Sequence, residues 1–274
     1  MMKRRPLTHA GLIMAAGVML YPLLWMVVSS LKPDNEIFTD TTPWPANPTL
    51  EHYASGWTAT GTSFTVFFRN SLIVTSGAVI GNVLACSLAA YAFARLEFPL
   101  KKVWFTIMLG TIMLPFHATL IPQYVLFFDL GWINTYLPLL VPKFLAVDAF
   151  FIFLMVQFIR GIPRSLDEAA RLDGAGPVAV YVRIVLPLMR PALITTAIFT
   201  FIWTYDDFFS QLVYLSDNNL YTVPLGLNMF IDKTGSSSWG DMFAMSVLAL
   251  VPTTLFFLFF QKRLVEGLAT SGLK

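Results

Sequence analysis

Long apolar runs occupy residues 10–31, 71–94, 103–128, 137–159, 191–215 and 242–261, and polar connections separate them. A bilayer core of about 30 Å takes roughly 20 apolar residues as a helix, so each run is long enough to cross it. The pattern predicts an all-α, polytopic membrane protein: six transmembrane helices forming a single domain over residues 1–274. The first run follows Lys3, Arg4 and Arg5 and is itself uncharged. A signal peptide has an apolar core of only about 7–15 residues, so Ser29-Ser30-Leu31 is at most a weak cleavage site and the run reads as a retained span.

Finer patterns sit inside the runs. Gly77, Gly81, Ala85 and Ala89 recur every four residues, a smooth stripe for the close approach of another helix. Pro115 and Pro122 interrupt the third run, which predicts one kinked span lying against protein or a cavity. His117, between them, reads as a polar packing contact. Lys143 and Asp148 lie in the fourth run and must face protein or water. On one continuous helix, five positions are about 140° of rotation, so the two are not expected to pair. The connection 32–70 holds four prolines, and Leu50, Tyr53 and Trp57 are spaced for one face of a short interfacial helix.

Composition excludes a soluble domain. The chain is 56% hydrophobic and 12% charged, with a mean hydropathy of +0.67, against about 25% charged in soluble domains. The net charge of +2 says little, but its placement says more. Lys3, Arg4 and Arg5, then Arg95, Lys101 and Lys102, then five arginines in 160–190, then Lys262, Arg263 and Lys274 fall on one side. Only Lys32, Arg69, Lys143 and Lys233 do not. The positive-inside rule then makes both termini and the loop 160–190 cytoplasmic and the loop 32–70 external. Cys86 is the only cysteine, so no intramolecular disulfide can form.

The loop 160–190 is the most structured polar stretch. Ser165-Leu166-Asp167-Glu168 reads as a capping box, and the two acids suit the positive end of a helix dipole. A helix from about Leu166 to Asp173 would stop at Gly174 in the left-handed region. Pro177 suits the first turn of a second helix, with Val178, Val182 and Val185 as its apolar stripe until Pro187. Two short helices make a rigid knob whose surface Ala169 and Ala170 keep low enough to seat in a groove. The plainer alternative is an amphipathic loop resting on the membrane.

The spacing Glu168-Ala169-Ala170, three residues, Gly174, nine residues, Ile184-Val185-Leu186-Pro187 resembles the cytoplasmic coupling loop of ABC-importer permeases. Leu31-Lys32-Pro33, Ala90-Tyr91-Ala92-Phe93-Ala94-Arg95, Leu186-Pro187 with Pro191, and the ending Gln261-Lys262-Arg263-Leu264-Val265-Glu266-Gly267-Leu268 are similar to carbohydrate-uptake ABC permeases. The likeness covers nearly the whole chain and favours the shorter permease of a maltose-type pair. It implies a type I importer permease fold in a bacterial or archaeal cytoplasmic (inner) membrane. The implied partners are a second permease in a heterodimer, two ATP-binding subunits, an extracytoplasmic solute-binding protein and the lipid bilayer. It implies no cofactor, metal, nucleic acid or catalytic residue. The residues it places against the ATP-binding subunits are Glu168, Ala169, Ala170, Asp173, Gly174, Ile184, Leu186 and Pro187.

Candidates for the translocation path are Asp148, Trp203, Tyr205, Asp206 and Asp207, carboxylates that avoid lipid and aromatics that stack on sugars. Here the chain departs from the family, which often has Trp-Asn-Asp/Glu-Phe and then Leu-Trp-Pro-Leu. This sequence has Tyr205-Asp206-Asp207-Phe208 and then Phe209-Ser210-Gln211-Leu212. Its tail, Ala269-Thr270-Ser271-Gly272-Leu273-Lys274, differs as well. A stand-alone secondary transporter or channel using Asp148, Asp206 and Asp207 is an alternative, but no inverted repeat supports it. An intramembrane enzyme is weaker still, because helical neighbours point about 100° apart and cannot share a proton. No Gly-x4-Gly-Lys-Ser/Thr phosphate loop occurs, so ATP hydrolysis is expected on separate subunits.

Overall fold

The computed structural model describes residues 5–231 and 238–271, with side chains from residue 8 to 261. Lys3, Arg4, Lys233, Gly272, Leu273 and Lys274 therefore lie outside the described residues, as do the side chains of Arg5 and of 262–271. All regular structure among the described residues is helical. The helices are α1 (Arg5–Ser29), α2 (Glu51–Ser55), α3 (Phe64–Arg95), α4 (Lys101–Thr111), α5 (Phe116–Asp129), α6 (Leu137–Phe144) and α7 (Ala149–Arg160). Then come α8 (Ser165–Leu172), α9 (Pro177–Leu188), α10 (Arg190–Tyr205), α11 (Phe209–Tyr214), α12 (Val223–Asn228) and α13 (Trp239–Ser271).

Four stretches are each long and apolar enough to cross a membrane: Thr8–Ser29, Phe64–Arg95, Leu137–Arg160 and Trp239–Gln261. Two bent pairs, α4 with α5 at 103° and α9 with α10 at 74°, are together long and apolar enough for a broken span or a re-entrant loop each. The third run is thus two helices rather than one kinked span. Its chain unwinds ahead of Pro115, whose extended backbone begins α5. His117 packs its ring edge-on to Phe209 at 5.2 Å.

Helix α3 is the mast of the bundle, packed against α6, α7 and α10. Its small-residue stripe receives α6. A Cβ on Gly77 would lie 2.8 Å from Leu140 Cδ2, and one on Gly81 2.6 Å from Phe144 Cδ2. Polar side chains in a lipid setting need protein partners, and those of α3 have them. Asn82 Nδ2 donates to Thr200 Oγ1 at 2.8 Å, and Ser87 Oγ shares a 2.7 Å bond with Tyr181 OH. Asn70 Nδ2 donates to the carbonyls of Asn219 and Tyr221 at 2.8 and 2.9 Å. Ser71 Oγ accepts from the Val223 amide at 2.8 Å. Cys86, Met155 and Val185 belong to one buried cluster, and Phe64, Phe67 and Met245 to another.

Helix α1 stands apart, exposed along Leu12, Ile13, Val18 and Met19. Its C-terminal end is held by Trp25 against Phe243 at 5.2 Å, and the residue after it by Ser30 Oγ bonded to Tyr53 OH at 2.8 Å. Beyond it, buried Lys32 donates to the carbonyls of Asp40 and Thr42 at 2.5 and 3.1 Å. Hydrogen bonds from the Thr42 hydroxyl and amide, then the charge of Lys32, hold the Asp40 carboxyl below its ordinary range. The His52 ring bridges Asp241 Oδ1 at 3.2 Å and the Lys32 carbonyl at 3.0 Å.

Two expectations change here. Helix α3 starts at Phe64, not 71, so the polar connection is shorter than 32–70, and Leu50 points out, 70% exposed, ahead of α2, while Tyr53 and Trp57 pack inward. The fourth run is not one continuous helix. It breaks between α6 and α7, where Ala146 takes φ +54°, and the rotation argument no longer applies. Lys143 Nζ and Asp148 Oδ2 form an ion pair at 2.8 Å across the break.

Candidate coupling loop and transmembrane cavity

Helix α8 begins one residue earlier than its polar pattern suggests. Arg164 is already helical, at φ −67° and ψ −23°, and its carbonyl accepts from the amides of Asp167 and Glu168. Ser165 sits inside the helix and makes no cap bond, so the expected capping box does not form. The C-terminal end follows the residues closely. Gly174 takes φ +84°, its amide donates to Arg171, and the Ala175 amide donates to Ala170. This pair of bonds is a Schellman motif, which glycine permits because it carries no Cβ.

Pro177 occupies the first turn of α9. The inward face of α9 is Val180, Tyr181 and Val185, whereas Val178 and Val182 are 75% and 49% exposed, which corrects the expected valine stripe. A π turn at Tyr181–Val185 shifts the register, and the Leu186 amide bonds back to the Tyr181 carbonyl. The wider turn accommodates Pro187, which has no N–H to give. The helix therefore runs on to Leu188 instead of stopping at Pro187, and the bend falls at Met189.

The loop is seated on α3 by a contact that sequence reasoning missed. Arg95 Nε lies 2.7 Å from Asp167 Oδ2, with the two side chains 3% and 7% exposed. Arg95 Nη2 also donates to the Ile162 carbonyl at 2.7 Å. The available signal was an arginine closing an apolar helix, since Asp167 had been assigned to the helix dipole alone. Around this seat, Glu168, Ala169, Asp173, Gly174 and Pro187 are exposed, and Leu172 is 88% exposed. Ala170, Ile184 and Leu186 are half-buried, with Ala170 and Leu186 packed on the first cluster. The loop is a braced knob with a polar and small-residue crest.

The five residues proposed for a path separate into two groups. Trp203, Asp206 and Asp207 come together with Phe116, Ile202 and Ser210 around a cavity of about 390 Å³. Helix α10 ends at Tyr205, so Asp206 and Asp207 lie on unwound backbone between α10 and α11 and not inside a helix. Asp207 Oδ1 accepts from the Ser210 amide at 3.0 Å. Trp203 stacks near Phe151 and Phe150, at 5.3 and 5.9 Å, and remains half exposed. Tyr205 is instead buried in the second cluster, parallel to Phe201, and Asp148 is occupied by Lys143.

Residues 81–269 match the family described as binding-protein-dependent transport system inner membrane component. The chain is 33% identical to the trehalose/maltose transport system permease protein MalG of Thermococcus litoralis, over 99% of this chain and 97% of that one. It is 30% identical to the arabinooligosaccharides transport system permease protein AraQ of Halalkalibacterium halodurans, over 96% and 94%. It is 31% identical to the sn-glycerol-3-phosphate transport system permease protein UgpE of Salmonella typhi, over 98% of each. A crystal structure of a bacterial ABC transporter that imports the acidic polysaccharide alginate superimposes with a TM-score of 0.81 at 22% identity, over 96% of this chain and 98% of that one. With its helical bundle and bent helix pairs, the chain belongs to the binding-protein-dependent inner-membrane components: it is a permease subunit of an ABC importer, and ATP hydrolysis sits on other subunits.

Proposed function

We propose that this chain forms half of the translocation path for a sugar or related polar solute, in a heterodimer with a second permease. Of the two ATP-binding subunits of the complex, one docks on its α8–α9 loop, and an extracytoplasmic solute-binding protein delivers the substrate. Both termini and the loop 160–190 face the cytoplasm, and the segment before α3 faces outward. The polar solute class follows the relatives, named for trehalose/maltose, arabinooligosaccharides and sn-glycerol-3-phosphate.

The observation that carries the coupling role is the seat of α8. Its crest, with Glu168, Ala169, Asp173 and Gly174, is open to a partner, while the opposite side is locked to α3 by the buried Arg95–Asp167 pair. When the ATP-binding subunits close, they displace the crest, and the pair passes the displacement to α3. Helix α3 in turn packs on α6, α7 and α10, which ends at the cavity. Ile184, Leu186 and Pro187 stiffen the second half of the loop.

Gentle purification of the tagged protein from its native membrane, with mass spectrometry of what accompanies it, tests the assembly. An ATP-binding subunit and a second permease should co-purify. Glu168→Lys should release the ATP-binding subunits and abolish uptake while leaving the chain in the membrane. Normal uptake by that variant would remove the coupling role.

A further inference from the structure

The cavity between α10 and α11 has a chemistry that discriminates among polar solutes. No residue lining it is basic: the six are Phe116, Ile202, Trp203, Asp206, Asp207 and Ser210. The Asp206 carboxylate has no hydrogen-bond or ion-pair partner among the described residues, its amide alone being bonded, to the Ile202 carbonyl, and the Asp207 carboxylate spends one oxygen on the Ser210 amide. Ser210 is 9% exposed, and its hydroxyl has no partner among the described residues although it lines the cavity. Lys143 is paired with Asp148, and the His117 ring packs on Phe209 outside the lining set.

A solute resting in this open hollow exchanges part of its hydration for fixed partners. Carboxylates only accept hydrogen bonds, and they form stronger bonds than neutral oxygens do. Hydroxyl groups of a polyol are donors of the matching kind. The buried serine hydroxyl can donate or accept, and the half-exposed Trp203 face gives the apolar side of a sugar ring a flat surface. An ionised phosphate or carboxylate on the solute offers acceptors where acceptors already stand, and it meets two charges of its own sign. The volume, equal to about a dozen waters at roughly 30 Å³ each, admits a ring-sized solute.

We infer that the cavity lined by Trp203, Asp206, Asp207 and Ser210 is a selectivity station that admits uncharged polyhydroxylated solutes and rejects anionic ones. The inference rests on the permease reading above and narrows it. Among solutes of the kinds for which its relatives are named, trehalose, maltose and arabinooligosaccharides fit this chain and sn-glycerol-3-phosphate does not.

The test is made on the assembled importer in proteoliposomes, with Cys86→Ala and Ser210→Cys so that one thiol reports from the cavity. The probes are a trimethylammonium and a sulfonate methanethiosulfonate of equal reach. The cation-to-anion rate ratio should exceed that of a free thiol by about tenfold or more, the enrichment expected of a charged cleft. The ratio should fall to that of a free thiol when Asp206→Asn and Asp207→Asn are added. Trp203→Cys serves as the reporter if Ser210→Cys does not assemble. Equal rates with both aspartates present, or a ratio unmoved by the two asparagines, overturn the inference, as does uptake of sn-glycerol-3-phosphate by the native importer. An importer that assembles with its ATP-binding subunits and shows these results keeps the permease reading and loses only the selectivity.

Discussion

Removing the charge of Asp167 is the most direct test of how the α8–α9 loop is held. Asp167→Asn keeps the side-chain shape, but leaves Arg95 buried, 3% exposed, with the Ile162 carbonyl as its remaining bond. An uncompensated member of a buried ion pair costs roughly 3–5 kcal/mol, a large part of the roughly 5–15 kcal/mol that keeps a domain folded. At about 2–4 °C per kcal/mol for a chain of this size, the unfolding temperature should fall by roughly 6–20 °C. The chain carries its own reporter, since Cys86 is its only cysteine and is fully buried. A thiol-reactive fluorophore added during a temperature ramp becomes bright when the bundle opens. Arg95→Met with Asp167→Leu should recover most of the loss, because apolar side chains of similar size replace a buried pair well. A drop of less than about 2 °C in Asp167→Asn, or a double variant as unstable as the single, would show that something other than this pair seats α8.

Gly226→Ala should destabilise the bundle by about 1–3 kcal/mol, because a Cβ there would lie 2.3 Å from Phe67 Cδ2 in a fully buried ring; an unchanged melting curve would show that the ring has room. Across the α6–α7 break, Lys143→Ala and Asp148→Ala should each speed labelling of Cys86, whose Sγ lies 3.9 Å from the Asp148 carbonyl. The exchanged pair, Lys143→Asp with Asp148→Lys, should slow it again; a swap that labels as fast as the singles refutes the pairing role. For pH, the Asp40 carboxyl is held below its ordinary value of 3.8. A depressed carboxylate contributes stability that is present above its ordinary value and lost as pH falls through the depressed one. Proteolysis of the segment between α1 and α2 by an acid-tolerant protease should therefore stay flat from neutral pH to about 4, and Thr42→Ala should raise the pH at which cutting accelerates. A curve identical in both forms would refute the Thr42 contribution.

What was legible in the sequence was what depends on local chemistry. Runs of apolar residues specify helices without reference to anything else, and so do Gly174 as a helix stop and Pro177 as a helix start. The four-residue spacing of Gly77 and Gly81 identified the face that α6 occupies. The misses are places where distant parts of the chain decide. Nothing in Leu145-Ala146-Val147 marks a break, because alanine is an excellent helix former and takes φ +54° here only in its tertiary setting. That break brought Lys143 and Asp148 together. The Arg95–Asp167 pair joins residues whose separation no pattern signals. The π turn in α9 rotated the valine stripe out of register, which a fixed period of 3.6 residues cannot anticipate. In the cavity, adjacent aspartates disfavour helix and were a usable sign of unwound backbone. That Tyr205 turns inward was not readable from composition.

The mast is made before anything it holds. Helix α3 carries Asn70, Ser71, Asn82, Ser87 and Arg95, all buried in the finished bundle. Ser87 Oγ also bonds the Leu84 carbonyl within the helix, but the partners outside α3 lie at Ile162, Asp167, Tyr181, Thr200, Asn219, Tyr221 and Val223, all later in the chain. At roughly 5–20 residues per second, a ribosome needs about 6–25 s to travel from Arg95 to Tyr221. Through that interval, hydrocarbon offers the Asn70 and Asn82 amides no partner outside the helix. The order in which this protein is synthesised and the order in which its bundle is bonded run against each other.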